Sequence, residues 1–246
     1  MLVWPCLGLS PWSITILPVR HSHLKAFWYL PGILYDLAFS GMFRGLRKHV
    51  ARIIEKEGFY PWLDVCSGTG AQLRGHLPAA RVPDLGPKAR EFEGRSNKQV
   101  CGLDLSFGFV RYAAARAPGV PFVCGDAASL PFKDNSMGAV SVSFGLHDKS
   151  SELRSAILQE ARRVLGEGGS LIVVDFENPW NVKSRLGALF VRAIERLASG
   201  EHYRNGREFL RKGGLRGFLR DNGFIEISRR DVATGSLGIV VARPER

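Results

Sequence analysis

The sequence LDVCSGTG at residues 63–70 decides the fold, because it joins an apolar run to a short polar one through closely spaced glycines. The run FYPWLDV that ends at Val65 is typical of a buried strand, and we predict that a helix begins near Ala71. Gly68 and Gly70 let the backbone turn sharply and approach a ligand closely, where a Cβ would collide. A strand, a glycine turn and a helix in this order form the first unit of a nucleotide-binding α/β fold.

Strand-like and helix-like runs alternate after this turn. The strand-like runs are QVCGLDL, VPFVCGD, GAVSVSFG and SLIVVDF, and helical patterns occupy 106–116 and 150–165. Apolar strands alternating with amphipathic helices predict a parallel sheet covered on both faces. The last two strand-like runs, GFIEISRRDV and GSLGIVVARP, are joined by a turn too short for a parallel crossover, so we expect them to be antiparallel. The sequence therefore predicts a Rossmann-like α/β fold with a seven-stranded, mostly parallel sheet, an antiparallel last strand and helices on both faces.

The chain is interpreted as one domain with an extension and two distinct segments. Residues 1–34 form an apolar N-terminal extension, and 35–246 form the domain. A start codon placed too far upstream, a mobile tail and a membrane-surface anchor stay open for the extension, whereas a secretory signal and a membrane span are not expected. Residues 78–99 are rich in Pro, Arg and Gly and are predicted to be an inserted surface loop. Residues 180–222 are predicted to be a basic helical segment on the substrate side.

The charge is strongly positive, at +11 for 246 residues. Such a charge suits an acidic surface, an anionic ligand or a membrane face as partner. Residues 183–230 contain twelve Lys or Arg and five Asp or Glu. A solvated helix face and peripheral docking on anionic lipid both account for this excess.

The four cysteines show neither CxxC pairing nor close spacing to histidines; they are Cys6, Cys66, Cys101 and Cys124. The last three lie in or beside apolar, strand-like runs. We predict reduced, buried thiols in a cytoplasmic protein, with no disulfide and no metal site.

The residues of the glycine turn favour a particular ligand. A dinucleotide site usually has a third glycine three residues after Gly70, but that position is Leu73. Asp64 would repel a pyrophosphate, yet it can accept a hydrogen bond from a cationic ammonium directly or through water. S-adenosylmethionine carries such an ammonium together with a sulfonium, and we predict it as the cofactor.

Further anchors follow at the next strand ends. Asp104 can accept both ribose hydroxyls, Asp126 can accept the adenine amino group beside the Ala127 amide, and Ser106 is predicted to cap the next helix. Ser143 and Phe144 end the fourth strand and are expected at the methyl end of the cofactor. The predicted cofactor-binding residues are Asp64, Ser67, Gly68, Thr69, Gly70, Asp104, Leu105, Asp126, Ala127, Ser143 and Phe144.

The motifs together resemble a known family. YDLAF at 35–39, LDVCSGTG, GLDLS, GDAASLPF, VSFGLHD, ARRVLGEGGSLIVVDFENP and TGSLGIVVARP resemble the UbiE-like C-methyltransferases of ubiquinone and menaquinone biosynthesis, within class I of the S-adenosylmethionine-dependent methyltransferases. The resemblance covers roughly 35–242 and implies the class I methyltransferase fold. It implies cofactor contacts at Thr69, Asp104, Asp126, Ala127 and Ser143. The family usually has Arg-Asn after FGL, where this chain has His147 and Asp148.

The expected function is transfer of a methyl group from S-adenosylmethionine to a small lipophilic acceptor. The resemblance implies C-methylation of a demethylmenaquinone or ubiquinone-type precursor. A phospholipid or other small-molecule N- or O-methyltransferase is the alternative, because fold does not fix substrate. An RNA-binding methyltransferase-like module is a third hypothesis, disfavoured because the sequence has neither an appended RNA-binding domain nor an NPPY-like tetrad. We expect no nucleic-acid partner and a cytoplasmic location, with peripheral contact to the inner membrane face.

His147 is the candidate catalytic residue because it follows the fourth strand tip, near the expected methyl group. It can act as a base on a phenolic acceptor or orient the substrate. The alternative is a loop histidine whose hydrogen bonds are satisfied by a neighbour such as Asp148. His202 and Tyr203, in the basic segment, are weaker candidates.

Overall fold

The computed structural model describes residues 15–16, 36, 41, 43–74, 99–178 and 200–245. Nearly all of the predicted N-terminal extension and the predicted loop at 78–99 lie outside the described residues. The first part of the predicted basic segment, up to residue 199, lies outside them as well.

Eight strands form one sheet in the order β1-β4-β3-β2-β5-β6-β8-β7. The strands are β1 Thr15–Ile16, β2 Trp62–Val65, β3 Val100–Asp104, β4 Phe122–Cys124, β5 Met137–Ser143, β6 Leu165–Phe176, β7 Phe224–Val232 and β8 Leu237–Pro244. Strands β2 to β6 pair in parallel, and β8 runs antiparallel to both of its neighbours. The seven predicted strands and the antiparallel last strand are confirmed. The two-residue β1, which pairs in parallel with β4 at the sheet edge, is an addition.

The described part of the chain contains six α-helices, which cover the two faces of this sheet. They are α1 Arg44–Glu57, α2 Ala71–Arg74, α3 Phe107–Arg116, α4 Ser151–Val164, α5 Gly200–Arg211 and α6 Gly214–Asp221. Apolar side chains of α1, α2 and α3 join one buried cluster, and those of α4, α5 and α6 join another. The sheet therefore separates two hydrophobic cores, as the alternating pattern predicts.

Local side chains set the helix boundaries. Ser106 accepts a hydrogen bond from the amide of Phe109, so the predicted cap of α3 is confirmed. Ser150 caps α4 in the same way, through the amide of Leu153. Helix α1 ends at Gly58, which adopts the left-handed conformation common at this position.

The predicted basic helical segment contains two helices within its described part. Gly213 and Gly214 have φ angles of 101° and 62°, which end α5 and begin α6. A Cβ at Gly214 would lie 2.7 Å from the amide nitrogen of Asn178, so the close approach of the two chain segments requires glycine here.

The cysteines differ slightly from expectation. Cys101 and Cys124 are buried free thiols, whereas Cys66 is only half-buried because it lies in the glycine turn. Cys6 lies outside the described residues.

The order of the strands locates the functional edge of the sheet. Strand β2 lies between β3 and β5, so the chain reverses its direction of travel across the sheet at this point. Ligands of open α/β sheets bind outside the carboxyl ends of the strands at such a switch point. None of the described helices combines the length and apolar character needed to cross a membrane.

Candidate functional site

The glycine turn after β2 combines a tightly packed glycine with an open one. Gly70 has φ 70°, and a Cβ there would lie 2.7 Å from Cζ of Phe122 on β4. Gly68 has φ 53°, and a Cβ there would meet nothing within 4 Å. Gly70 therefore serves packing, whereas Gly68 leaves space above the turn.

That space is part of a cleft between α1, the glycine turn and the end of β5. Six predicted cofactor residues line it: Asp64, Ser67, Gly68, Thr69, Ser143 and Phe144. The other lining residues are Phe43, Leu46, Arg47, Cys66, Ala71, Gln72 and Val174. The predicted residues Gly70, Asp104, Leu105, Asp126 and Ala127 do not line this cleft and lie beneath the turn or at the ends of β3 and β4. Helix α1 thus contributes a wall of the cleft that the sequence motifs do not indicate.

Two buried hydroxyl groups at the cleft have unused hydrogen-bonding capacity. The Oγ atoms of Ser67 and Ser143 are buried and have no hydrogen-bond partner among the described residues. Buried polar atoms in proteins almost always have partners, so orphaned hydroxyls beside a cleft indicate a missing polar ligand or water.

Asp64 lies at the base of the cleft and is almost fully buried. Ser141 donates a hydrogen bond of 2.5 Å to its Oδ1, and the indole of Trp62 donates in turn to the Ser141 hydroxyl. Burial raises the pKa of Asp64 to about 7, although the Ser141 hydrogen bond opposes this shift. Because its pKa lies near neutrality, a cationic group bound beside Asp64 would stabilise the ionised carboxylate.

Asp104 and Asp126 hold the ends of β3 and β4 in place. The carboxylate of Asp104 accepts hydrogen bonds from the amides of Gly68 and Ser106, at 2.8 and 2.9 Å. Burial raises its pKa, and these amides counteract that shift. Asp126 accepts from the amide of Ala128 at 2.9 Å. Each carboxylate oxygen can accept further hydrogen bonds, so roles in binding a nucleoside stay compatible with this geometry.

The hydroxyl of Thr69, a predicted cofactor contact, has a partner within the protein. Its hydroxyl donates a hydrogen bond of 2.7 Å to Oδ1 of Asp36, which is buried. The other carboxylate oxygen of Asp36 accepts from Arg74 and from the hydroxyl of Tyr112. Asp36 therefore links the chain before α1 to the glycine turn by hydrogen bonds. In the sequence, only the YDLAF motif at 35–39 drew attention to this residue.

A row of aromatic rings leads from the cleft to His147. Phe43 lies 4.5 Å from Phe144, which lies 6.4 Å from Phe176, and the ring of Phe176 lies 4.2 Å from His147, all measured between ring centroids. His202 follows at 5.3 Å from His147. We call Phe43, Phe144 and Phe176 the aromatic lane. Its three rings form an apolar surface between the cleft and His147, which suits contact with a lipophilic molecule.

His147 is buried and pairs with Asp175 rather than with the expected Asp148. Its Nδ1 lies 2.7 Å from Oδ1 of Asp175, which is fully buried at the end of β6. The amides of Leu146, His147 and Phe176 also donate to this carboxylate, which fixes its position. A carboxylate on Nδ1 favours the tautomer whose lone pair is on Nε2. The acid that pairs with the His147 ring is therefore Asp175, a residue that the sequence analysis did not single out.

Asp148 belongs to a separate polar group beside the histidines. Burial would raise its pKa, but Lys149 at 2.9 Å and the neighbouring histidines lower it to about 2. His202 Nδ1 lies 3.9 Å from Asp148, so this weaker candidate does lie beside His147. Tyr203 is half-buried on α5 under the guanidinium of Arg207.

Arg154 is a further residue that the sequence pattern does not single out. Its side chain is almost fully buried in α4, a position that the helical pattern gives to apolar residues. It donates to the carbonyls of Leu146 and Asn205, at 3.0 and 2.8 Å. Arg154 thus holds α5 against the loop that carries His147.

Comparisons with known proteins show what part of the chain is similar to. Residues 85–173 match the family described as a methyltransferase domain. The demethylmenaquinone methyltransferase of Renibacterium salmoninarum is 36% identical over 108 residues, which are 43% of this chain and 45% of that protein. The enzyme of the same name from Beutenbergia cavernae is 44% identical over 109 residues, 43% of this chain and 44% of that protein.

A solved structure shows the same fold. A SAM-dependent methyltransferase from Thermotoga maritima aligns with a TM-score of 0.54 at 18% identity, over 89% of this chain and all of that chain. The matched domain and these relatives confirm the resemblance to UbiE-like methyltransferases, and the sheet has the fold of a known SAM-dependent methyltransferase. The chain spans about half the length of the curated relatives it matches.

Proposed function

We propose that this chain transfers the methyl group of S-adenosylmethionine to a small lipophilic acceptor, with a demethylmenaquinone-type precursor as first choice. The observation that carries the proposal is the cleft at the switch point, which is lined by buried Asp64, by the open turn at Gly68, and by Ser67 and Ser143 with their orphaned hydroxyls. The similarity to demethylmenaquinone methyltransferases supports the choice of acceptor.

The residues of the cleft suit the parts of this cofactor. Asp64 would accept a hydrogen bond from the ammonium group of the cofactor. The open turn at Gly68 would leave room for the nucleoside, and Asp104 and Asp126, at the ends of the next two strands, would bind the ribose and the adenine. Phe144 and Ser143 would border the sulfonium, where the cofactor supplies an electrophilic methyl group. Adenosine groups commonly bind at this edge of α/β sheets, so the order of these residues is consistent with that orientation.

His147 would act on the acceptor at the far end of the aromatic lane. In this proposal Nε2 of His147 takes the proton of a phenolic hydroxyl, and Asp175 holds the Nδ1 proton and stabilises the resulting imidazolium. The phenolate makes its neighbouring ring carbon nucleophilic, and that carbon would take the methyl group as the carbon–sulfur bond breaks and S-adenosylhomocysteine leaves. The ring carbon would then lose its own proton to water as the ring regains aromaticity, and His147 would return its proton to the ring oxygen. The protein otherwise orients the acceptor and excludes water.

O-methylation of the same kind of acceptor is the second candidate. His147 stands where the family usually has Arg, and its buried imidazole beside the carboxylate of Asp175 suits removal of a hydroxyl proton. If the phenolate oxygen attacks the methyl group instead of the ring carbon, the product is an ether. The two outcomes share their first step and differ only in which atom faces the sulfonium.

Incubation with methyl-labelled S-adenosylmethionine tests the proposal. Demethylmenaquinol, prepared by chemical reduction of demethylmenaquinone so that it carries phenolic hydroxyls, a hydroxylated aromatic without a side chain, phosphatidylethanolamine and RNA serve as acceptors, and mass spectrometry locates the label. We expect label on a ring carbon of demethylmenaquinol. Label on its oxygen would favour the second candidate, and label only in phosphatidylethanolamine or RNA would refute the quinone. Absence of measurable affinity for S-adenosylhomocysteine would contradict the proposal as a whole.

A further inference from the structure

A second cavity lies away from the cofactor cleft, between α1 and the antiparallel end of the sheet. Its volume is about 390 Å³. Arg52, Ile53 and Lys56 line it from α1, and Ile227, Val241 and Arg243 line it from β7 and β8. We call this cavity the α1–β7 groove. None of the roles assigned to the cofactor cleft uses it.

The groove exposes apolar surface at the edge of the sheet. Ile225 and Ile227 are each 52% exposed, and they are large apolar side chains on β7, the last strand of the sheet. Ile53 and Val241 continue this apolar surface inside the groove. Paired large apolar side chains at a sheet edge are a feature that monomeric proteins usually avoid.

Basic side chains surround this apolar surface. Arg52, Lys56, Arg230 and Arg243 are exposed. No acidic group among the described residues lies within ion-pair distance of Arg52, Arg230 or Arg243, and the acid that lines the groove is Glu57, 3.5 Å from Lys56. The groove therefore carries a local excess of positive charge.

Several basic residues between 212 and 229 differ in this respect. Lys212 pairs with Glu208 at 2.7 Å, and Arg220 pairs with Asp221 at 2.9 Å. Arg229, on the opposite face of β7 from Ile227, pairs with Glu177 and Glu226. Four of the eight Lys or Arg residues at 200–230, namely Lys212, Arg216, Arg220 and Arg229, thus have a neighbouring acid, whereas Arg52, Arg230 and Arg243 at the groove have none among the described residues.

We propose that the α1–β7 groove docks on the surface of an anionic phospholipid bilayer. Exposed isoleucines can enter the boundary between headgroups and acyl chains, while the surrounding arginines and lysine bind the phosphate groups. Charge complementarity and exposed apolar surface coincide here, as peripheral membrane binding requires. Helix α1 lines the cofactor cleft through Leu46 and Arg47 in its first turn and the groove through its last turns, so the two sites lie at opposite ends of this helix. The docking itself does not depend on methyl transfer.

Sedimentation with lipid vesicles tests this docking. The variant R52E/R230E/R243E reverses three charges at the groove, and I225S/I227S removes its apolar part without changing charge. R204E/R207E/R211E is the matched control, because it reverses three exposed arginines of α5. Vesicles of phosphatidylcholine with and without phosphatidylglycerol are the probes. S-adenosylhomocysteine binding and circular dichroism confirm that each variant is folded.

We expect the native chain to bind phosphatidylglycerol vesicles and to lose binding as salt is raised. The groove reversal should weaken binding at least about tenfold, since each basic residue near an anionic surface contributes a severalfold gain. The isoleucine variant should weaken it as well, while the α5 control retains most of it. Equal losses in the groove reversal and the control would refute a local site, and so would unchanged binding in I225S/I227S. Failure of the native chain to bind vesicles, together with a dimer that the groove variants dissociate, would assign the groove to a second copy instead.

Discussion

At the scale of single residues, buried Asp64 makes both stability and ligand binding depend on pH. Its pKa of about 7 lies above the ordinary value of 3.8, so the folded protein retains a proton that the unfolded chain releases. The resulting contribution to stability is complete below the ordinary pKa and is lost as pH rises through about 7. A cationic ligand beside Asp64 has the opposite preference, because it binds the ionised carboxylate.

Asp64→Asn removes this titration. We expect native stability to fall from about pH 5 to about pH 8 by more than that of the variant, measured by urea unfolding at both values. Affinity for S-adenosylhomocysteine should rise with pH through about 7 in the native protein and stay flat in the variant. The variant should bind about 10 to 100 times more weakly at the higher pH, because a charge-assisted hydrogen bond is lost. Parallel pH profiles for the two proteins would contradict this assignment.

His147→Ala separates catalysis from cofactor binding. His147 lies beyond Phe144 and Phe176 from the cofactor cleft, so S-adenosylhomocysteine should bind the variant with unchanged affinity. We expect kcat on the accepted substrate to fall by about 10²- to 10⁴-fold, as for loss of a general base. Asp175→Asn is the companion variant and should lower kcat while His147 is retained. Undiminished kcat in His147→Ala, with the fold intact, would exclude the histidine from the reaction.

Residues whose contacts are close in sequence could be predicted, whereas residues whose partners are far apart in sequence could not. Asp64 and Gly68 could be assigned from sequence because their neighbours along the chain define the turn. The partner of His147 could not, because Asp175 lies 28 residues away and reaches the histidine only when β5 and β6 pair. Asp148, its sequence neighbour, pairs instead with Lys149.

At the scale of elements, hydrophobic periodicity predicts the strands and helices well where one element is continuous. It failed where a glycine pair divides α5 from α6, because Gly213 and Gly214 interrupt a helical pattern without changing its polarity. It also missed β1, since two residues carry no period. Both differences arise from backbone geometry that side-chain patterns do not encode.

The glycine turn between β2 and α2 gives a prediction with an internal control. Gly70→Ala should lower the free energy of unfolding by about 2 to 4 kcal/mol, because its Cβ would collide with Phe122 at a positive φ. Gly68→Ala should lower it by about 1 to 2 kcal/mol, since only the backbone conformation opposes it. The Gly68 variant should nonetheless bind S-adenosylhomocysteine much more weakly, because its methyl group enters the cleft. Urea unfolding and a binding titration measure the two effects. Equal unfolding midpoints for the variants would show that Phe122 does not restrict the turn.

At the scale of the whole molecule, the site depends on contacts between segments that are far apart in sequence. Arg154 ties α4 to α5, and Asp36 ties the chain before α1 to both the glycine turn and α3. The sheet order could be predicted from the alternating pattern, because parallel crossovers obey general rules. These polar ties could not, because a hydrogen bond between distant residues leaves no periodic signal.

Asp36→Ala tests whether one such tie supports the cofactor cleft. The carboxylate accepts from Thr69, Arg74 and Tyr112, and its loss leaves the mostly buried Arg74 guanidinium without that acid. We expect the free energy of unfolding to fall by about 2 to 4 kcal/mol, since removing one member of a buried ion pair leaves the other uncompensated. Affinity for S-adenosylhomocysteine should fall as well, because Thr69 loses the partner that holds the turn.

Asp134→Ala is the control, since Asp134 is 68% exposed although it also pairs with an arginine, at 2.7 Å. It should change stability by no more than about 1 kcal/mol and leave affinity unchanged. If both variants unfold at the same urea concentration, Asp36 is an ordinary surface acid and the cleft is held by α1 and the sheet alone.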